Sequence, residues 1–166
     1  MQVTVIGAGL AGSEAALWLA DRGVQVTLYD QKPQKFSPAH KSAGFAELIC
    51  SNSLKAERPD SASGLLKLEM KAMGSHLLTA AETARVAAGG ALAVDRDVFS
   101  AAVTEMVERH PNITVRREEV TALDESAPVL VASGPLTEGA LAQAIAALTG
   151  NHRLSFFDAV APIGPT

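Results

Sequence analysis

A single cysteine, Cys50, stands among the 166 residues. That count excludes an internal disulfide and any metal centre built on several thiolates. Rings are scarce too, with five Phe, one Tyr and one Trp, which argues against a base-stacking platform for nucleic acid. Positive charge does not dominate: 14 Lys and Arg against 18 Asp and Glu leave a net charge of −4. The chain therefore lacks the basic footprint of a nucleic-acid binder. His76, His110 and His152 are read as surface or helix-end residues, and the histidine spacing suggests no metal site. No apolar run reaches membrane-spanning length; Gln143 interrupts the alanine-rich stretch from Ala140 to Leu148. The first residues read as a strand and not as the basic start of a signal peptide, so a cytoplasmic location is expected.

What remains is the composition of a globular α/β protein, 48% hydrophobic and 19% charged. At this length one domain is the natural count, and it can bury a core. The chain is organised around its start. Gln2 to Ile6 reads as a buried strand, Gly7-Ala8-Gly9-Leu10-Ala11-Gly12 as a glycine turn, Ser13 to Arg22 as a helix and Val24 to Tyr29 as a second strand closed by Asp30. Each glycine has its own task in a dinucleotide site. Gly7 allows the tight turn, Gly9 removes a side chain where backbone approaches phosphate, and Gly12 lets the helix pack closely on the sheet. The helix N-terminus offers unpaired N–H groups and partial positive charge to a pyrophosphate. Asp30 is placed to accept hydrogen bonds from ribose hydroxyls. Glycine-rich turns are common in α/β domains, and the signal here comes from strand, helix, second strand and acid together. The motif does not separate NAD from FAD.

Residues 31–44 read as an irregular loop and 45–54 as a short helix or turn. Asp60 or Ser61 is expected to cap a helix running to about Met73, with Leu65, Leu66, Leu68, Met70 and Met73 as its apolar positions; Met70, Met73 and Met106 are expected in the core. Another helix is expected over 75–83, then two short extended pieces around Gly89-Gly90. Asp95 is expected to cap a helix over 96–109 with apolar positions at helical spacing, Val98 among them. Strands are expected at 113–116, 119–123 and 128–132, the last one buried and parallel. A helix over about 137–149 closed by Gly150 and a strand at 154–157 complete the reading. Arg116-Arg117-Glu118-Glu119 reads most simply as a solvated strand edge.

Two features together resemble the two-dinucleotide-binding-domain flavoproteins. One is Gly7-x-Gly9-x-x-Gly12-x-x-x-Ala16 with Asp30. The other is the apolar strand ending Ala132-Ser133-Gly134, similar to that superfamily's second motif. More specific are Pro38-Ala39-His40, Phe45-Ala46-Glu47-Leu48-Ile49-Cys50-Ser51-Asn52-Ser53-Leu54, Gly64-Leu65-Leu66, Gly89-Gly90-Ala91-Leu92-Ala93-Val94-Asp95-Arg96, Ser133-Gly134-Pro135-Leu136-Thr137 and Phe157-Asp158-Ala159-Val160-Ala161-Pro162-Ile163. Spread over the whole chain, these resemble the folate- and FAD-dependent tRNA (uracil-5-)-methyltransferases.

The resemblance implies a Rossmann-like FAD-binding domain with a central parallel sheet, of the glutathione-reductase type and incomplete at its C-terminal end. Residues 1–166 would be its N-terminal portion, without the substrate, folate and tRNA region. It implies FAD held by Gly7, Ala8, Gly9, Leu10, Ala11, Gly12, Asp30 and Gly134, with a backbone contact from Val120 to adenine. It implies methyl transfer to C5 of a T-loop uridine of tRNA. The carbon would come from methylenetetrahydrofolate, the reducing equivalents from reduced FAD, and NAD(P)H would restore the flavin. Cys50 matches a cysteine implicated in catalysis, whether by attack on uracil, protection of the flavin or proton transfer. From its residue type alone, a lone Cys is usually a small buried hydrophobe. His40 is read either as a neighbour of flavin or folate or as a surface residue. Alternatives are another FAD-dependent oxidoreductase of the type that modifies the tRNA wobble uridine, or a truncated, non-catalytic dinucleotide-binding module. Alone, the chain is expected to be inactive and to bind FAD weakly or not at all.

Overall fold

The computed structural model describes residues 1–124 and 126–150. In chain order the first elements are β1 (Gln2–Ile6), α1 (Leu10–Asp21), β2 (Gln25–Tyr29), β3 (Ser53–Ala56), α2 (Ala62–Ala72) and α3 (His76–Thr83). There follow β4 (Arg85–Val86), β5 (Ala91–Val94), α4 (Arg96–Arg109), β6 (Ile113–Arg116), β7 (Val129–Val131) and α5 (Gly139–Thr149). The strand expected at 154–157 lies outside the described residues.

Alternation sends Val3 and Val5 of β1, and Val26 and Leu28 of β2, into the core. The two strands pair in parallel from Gln2–Gln25 to Ile6–Tyr29, and α1 is the crossover that parallel pairing needs. Ala16, Leu17 and Ala20 form its buried stripe. α1 starts three residues earlier than expected, because extended Gly9 is its N-cap. β6 adds in parallel to β2 and β7 to β1, so the sheet order is β6-β2-β1-β7. A smaller antiparallel sheet has the order β3-β5-β4. Fully buried Phe99, Val103 and Val107 of α4, with Leu92 and Val94 of β5, join the core of the parallel sheet.

Caps read from sequence hold. The Ser61 hydroxyl oxygen accepts from Gly64 N–H at 3.1 Å, and Asp95 Oδ1 accepts from Asp97 and Val98 N–H, both at 3.0 Å. α3 has a second anchor that spacing could not show. The Glu14 carboxylate on α1 accepts from the Ser75 hydroxyl at 2.7 Å, His76 N–H at 2.9 Å and Leu77 N–H at 3.0 Å. Negative charge there also complements the helix dipole.

Several expectations change. Residues 45–52 form bends and not a helix: Phe45 is buried in the core, and Ala46, at φ 49°, donates its N–H to Ala8 O at 2.9 Å. The strand at 119–123 is absent. Beyond Arg116 the chain leaves the sheet, because Arg117 turns to Ala43 O and Glu108 while Glu119 pairs with Lys35. Arg117 also stacks on the Phe45 ring, 4.0 Å from its centroid, so it is not merely solvated edge. Among the described residues β7 is an edge strand, with Leu130 and Val131 exposed and not buried. On α2, Leu65, Leu66, Leu68 and Met73 point outward while Met70 packs against the core; Val98 on α4 is likewise exposed. Finally, α5 begins at Gly139, which leaves Pro135 to Glu138 as a loop.

Candidate functional site

The glycine turn is rigid for reasons visible atom by atom. Gly7 adopts φ +100°, and a Cβ there would lie 2.5 Å from Ala132 O and 2.8 Å from Ser133 Cα. The turn therefore presses against the end of β7 as closely as backbone allows. A Cβ on Gly12 would overlap the Gly7 carbonyl oxygen, so glycine is what brings α1 onto the turn. The Ala8 peptide is clamped on both sides. Its N–H donates to Asp30 Oδ2 at 3.1 Å, and its carbonyl accepts from Ser13 Oγ at 3.1 Å and Ala46 N–H at 2.9 Å. Gly9, by contrast, is exposed, with open space where a Cβ would sit. It leads into α1, which has no side-chain cap and no acid in its first turn. The orphan N–H groups and dipole of that turn are left for an anion.

A cavity of about 320 Å³ opens over this turn. Gly7 to Ala11, Asp30, Val120 and Gly134 all line it, and so does His40. Of the residues expected at the site, Gly12 lies beneath the turn and does not line the cavity. Cys50 does not line it either; Cys50 is exposed, beside Ile49, which does. Val120 reaches the cavity from coil, not from a strand. Asp30 is almost buried, and it serves the fold as well as any ligand: Oδ1 accepts from Lys32 N–H at 2.8 Å while Oδ2 holds Ala8. Each carboxylate oxygen carries more than one acceptor site, so a ribose hydroxyl can still donate to it.

Sequence reasoning gave no site role to Lys32, Lys35, Glu47 or Thr137, which also line the cavity; Glu47 and Thr137 stood only within the motifs that carry the resemblance. Lys32 is buried, donates to Gly44 O at 2.6 Å and lies 3.6 Å from Glu47 Oε2. Glu47 Oε1 accepts from Lys41 and Ser42 N–H at 2.9 and 3.1 Å, but its buried Oε2 accepts no hydrogen bond from the described residues. Thr137 donates to Gly134 O at 2.7 Å and shares a 2.7 Å hydrogen bond with Ser133, fixing the loop after β7. The His40 ring is held through Nδ1 by Ser37 Oγ at 2.6 Å. Burial, and then the Lys32 ammonium, push His40 below the usual imidazole range.

This set fits a dinucleotide: an uncapped helix start, open space at Gly9, and the Asp30 carboxylate at the cavity wall with acceptor sites to spare. The cavity is near the lower end of ligand-pocket volumes, about 300 Å³, so the described residues enclose part of such a ligand.

Among solved structures, Aquifex aeolicus GidA superposes with a TM-score of 0.59 at 17% identity, over 78% of this chain and 23% of that one. CtdE, solved in complex with FAD and its substrate 4, gives 0.52 at 13% identity, over 82% and 38%. These likenesses show a shared Rossmann-like α/β fold. Similarity in sequence is far higher to curated relatives named methylenetetrahydrofolate--tRNA-(uracil-5-)-methyltransferase TrmFO. The Desulforamulus reducens protein is 56% identical over 162 residues, 98% of this chain and 37% of its own length. That of Geobacter sulfurreducens is 55% identical over 161 residues, 97% of this chain and again 37% of its length. The chain thus spans well under half the length of the relatives it matches. The family model described as glucose inhibited division protein A matches residues 2–164, and the chain belongs to that family.

Proposed function

We propose that this chain is the N-terminal dinucleotide-binding portion of a folate- and FAD-dependent tRNA (uracil-5-)-methyltransferase. One observation carries the reading: the glycine turn, Asp30 and the loop after β7 line a single cavity over the uncapped start of α1. Family membership and the names of the relatives support it. Gly7 to Ala11 and the first-turn amides of α1 hold the pyrophosphate of FAD. Asp30 accepts from the ribose, the Val120 backbone meets adenine, and Gly134 keeps the end of β7 free of side chain below the ligand. Bound reduced FAD supplies reducing equivalents, restored by NAD(P)H, and methylenetetrahydrofolate supplies the carbon. The acceptor is a T-loop uridine of tRNA, which places the protein in the cytoplasm. Cys50, exposed beside Ile49 at the cavity, acts in this reading on the uracil ring, on the flavin or in proton transfer.

In this reading residues 1–166 are one part of the domain, and the flavin ring, folate and tRNA need polypeptide that the longer relatives carry. The purified chain is expected to be inactive, to bind FAD weakly and to emerge colourless. A yellow preparation with stoichiometric flavin absorbance would contradict that division. The chemistry is tested by joining the chain to the remaining portion of a relative and supplying labelled methylenetetrahydrofolate. Label should reach a T-loop uridine and should be lost with Cys50→Ala; no transfer by the joined protein sinks the reading.

A further inference from the structure

Helix α2 has its apolar side turned outward. Lys67 is buried, and its ammonium donates to Ala56 O at 3.1 Å and Ser63 O at 3.2 Å. Leu65, Leu66, Leu68 and the C-cap Met73 are instead 51%, 55%, 45% and 67% exposed. Ala62 and Ala72 are exposed with them. At 100° per residue, these positions share a face about 160° wide. Glu69 lies in the middle of it, exposed and without an ion pair among the described residues. The helix cannot simply roll its leucines inward. Lys67 anchors it to β3, Lys71 binds Glu82 of α3 at 2.8 Å, and Met70 already fills the inner side. A contiguous apolar face of this kind marks an interaction surface.

Its charge and the size of the relatives decide what covers it. A second copy of this chain would meet the face through a two-fold axis, which brings the central Glu69 against its own counterpart, and like charges oppose that contact. The face calls for an apolar segment that carries a Lys or Arg opposite Glu69. The relatives supply a source, since the matched span is only 37% of the Desulforamulus reducens protein. Leu130 and Val131 of β7, in the parallel sheet, are exposed as well, one on each face. Exposed apolar side chains on two separate elements fit a long polypeptide wrapped over the domain better than one self-contact. We propose that the outward face of α2 docks an apolar, base-bearing segment of the polypeptide that the longer relatives carry outside the matched span. This rests on family membership and not on the cofactor assignment.

The test co-expresses this chain, untagged, with the tagged portion of the Desulforamulus reducens protein outside the matched span. Co-purification in equal amounts is expected. The double substitution Leu65→Glu with Leu68→Glu should lower recovery at least tenfold, and so should Glu69→Lys. Val98→Glu, at an equally exposed apolar position on α4, should leave recovery unchanged. Melting of the double variant alone, near that of the parent, verifies that it folds. Failure of the parent chain to co-purify overturns the proposal, as does equal recovery of the double variant. So does a dimer of the chain alone that the double substitution converts to monomer.

Discussion

Gly9 and Gly12, three residues apart in the same turn, should separate folding from binding. In Gly12→Ala the new methyl overlaps the Gly7 carbonyl oxygen and lies 2.9 Å from its carbon and 3.3 Å from Ala132 Cβ. The atoms struck first are backbone, so relief requires moving the turn or α1. α1 is held by buried Ala16, Leu17 and Ala20, so the strain stays local. Overpacking of this kind costs about 1–3 kcal/mol, and backbone collision belongs near the top of that range. The better helix propensity of Ala returns at most about 1 kcal/mol. A net loss of about 2 kcal/mol corresponds to a fall in Tm of roughly 4–8 °C for a domain of this size. Gly9→Ala meets nothing within 4 Å. It loses only a preferred N-cap residue, about 0.5 kcal/mol and roughly 1–2 °C. Its methyl nevertheless enters the space through which a phosphate must approach, and ADP affinity should fall at least about tenfold, 1.4 kcal/mol. Thermal melts by circular dichroism and titration calorimetry with ADP read the two effects. A Gly12→Ala melt within 2 °C of the parent, or an unchanged ADP Kd in Gly9→Ala, would refute this account of the turn.

Asp30→Asn leaves only one acceptor oxygen for the Ala8 and Lys32 N–H groups; the loss should be about 1–3 kcal/mol in urea unfolding, with weaker ADP binding. Glu14→Ala strips three donors at the start of α3 of their shared carboxylate, and the urea midpoint should fall by the equivalent of about 2 kcal/mol. His40 sits below its usual range, chiefly through burial, so the unfolded chain binds more protons there than the folded one. Its contribution to stability is therefore present above about pH 6.5 and lost as pH falls below that value. Urea midpoints at pH 7.5 and 5.5 should differ less in His40→Gln than in the parent, and equal differences would remove His40 as the cause.

Much of the site was legible because its signals are local. A turn that needs glycine at fixed offsets, an acid at the end of the next strand and a Ser-Gly after a later strand can each be recognised without knowing what they touch. All of them except Gly12 line one cavity. What escaped notice depends on distant partners. Lys32 became a buried and Glu47 a half-buried cavity residue because Ala46 docks the intervening loop onto Ala8. Val120 was placed on a strand, yet Glu119 is drawn away by Lys35 from a loop more than eighty positions earlier. β3 carries no strong strand pattern and forms because β5 offers it a partner.

By itself the sequence determined where the helices lie, what caps them and how the opening turn is shaped, since these follow from φ, ψ and hydrogen bonds within a few residues. Only the tertiary structure decided which faces are covered. The apolar positions of α2 looked like a core stripe, and burial of Lys67 against β3 turned them outward. The apolar run of β7 looked central, and its place outside β1 makes it an edge among the described residues. Asp30 looked reserved for a ligand, and proximity to Ala8 made it a strut of the turn as well. Hydrophobic pattern records that a face is to be buried; what buries it is set by pairings that no local stretch contains.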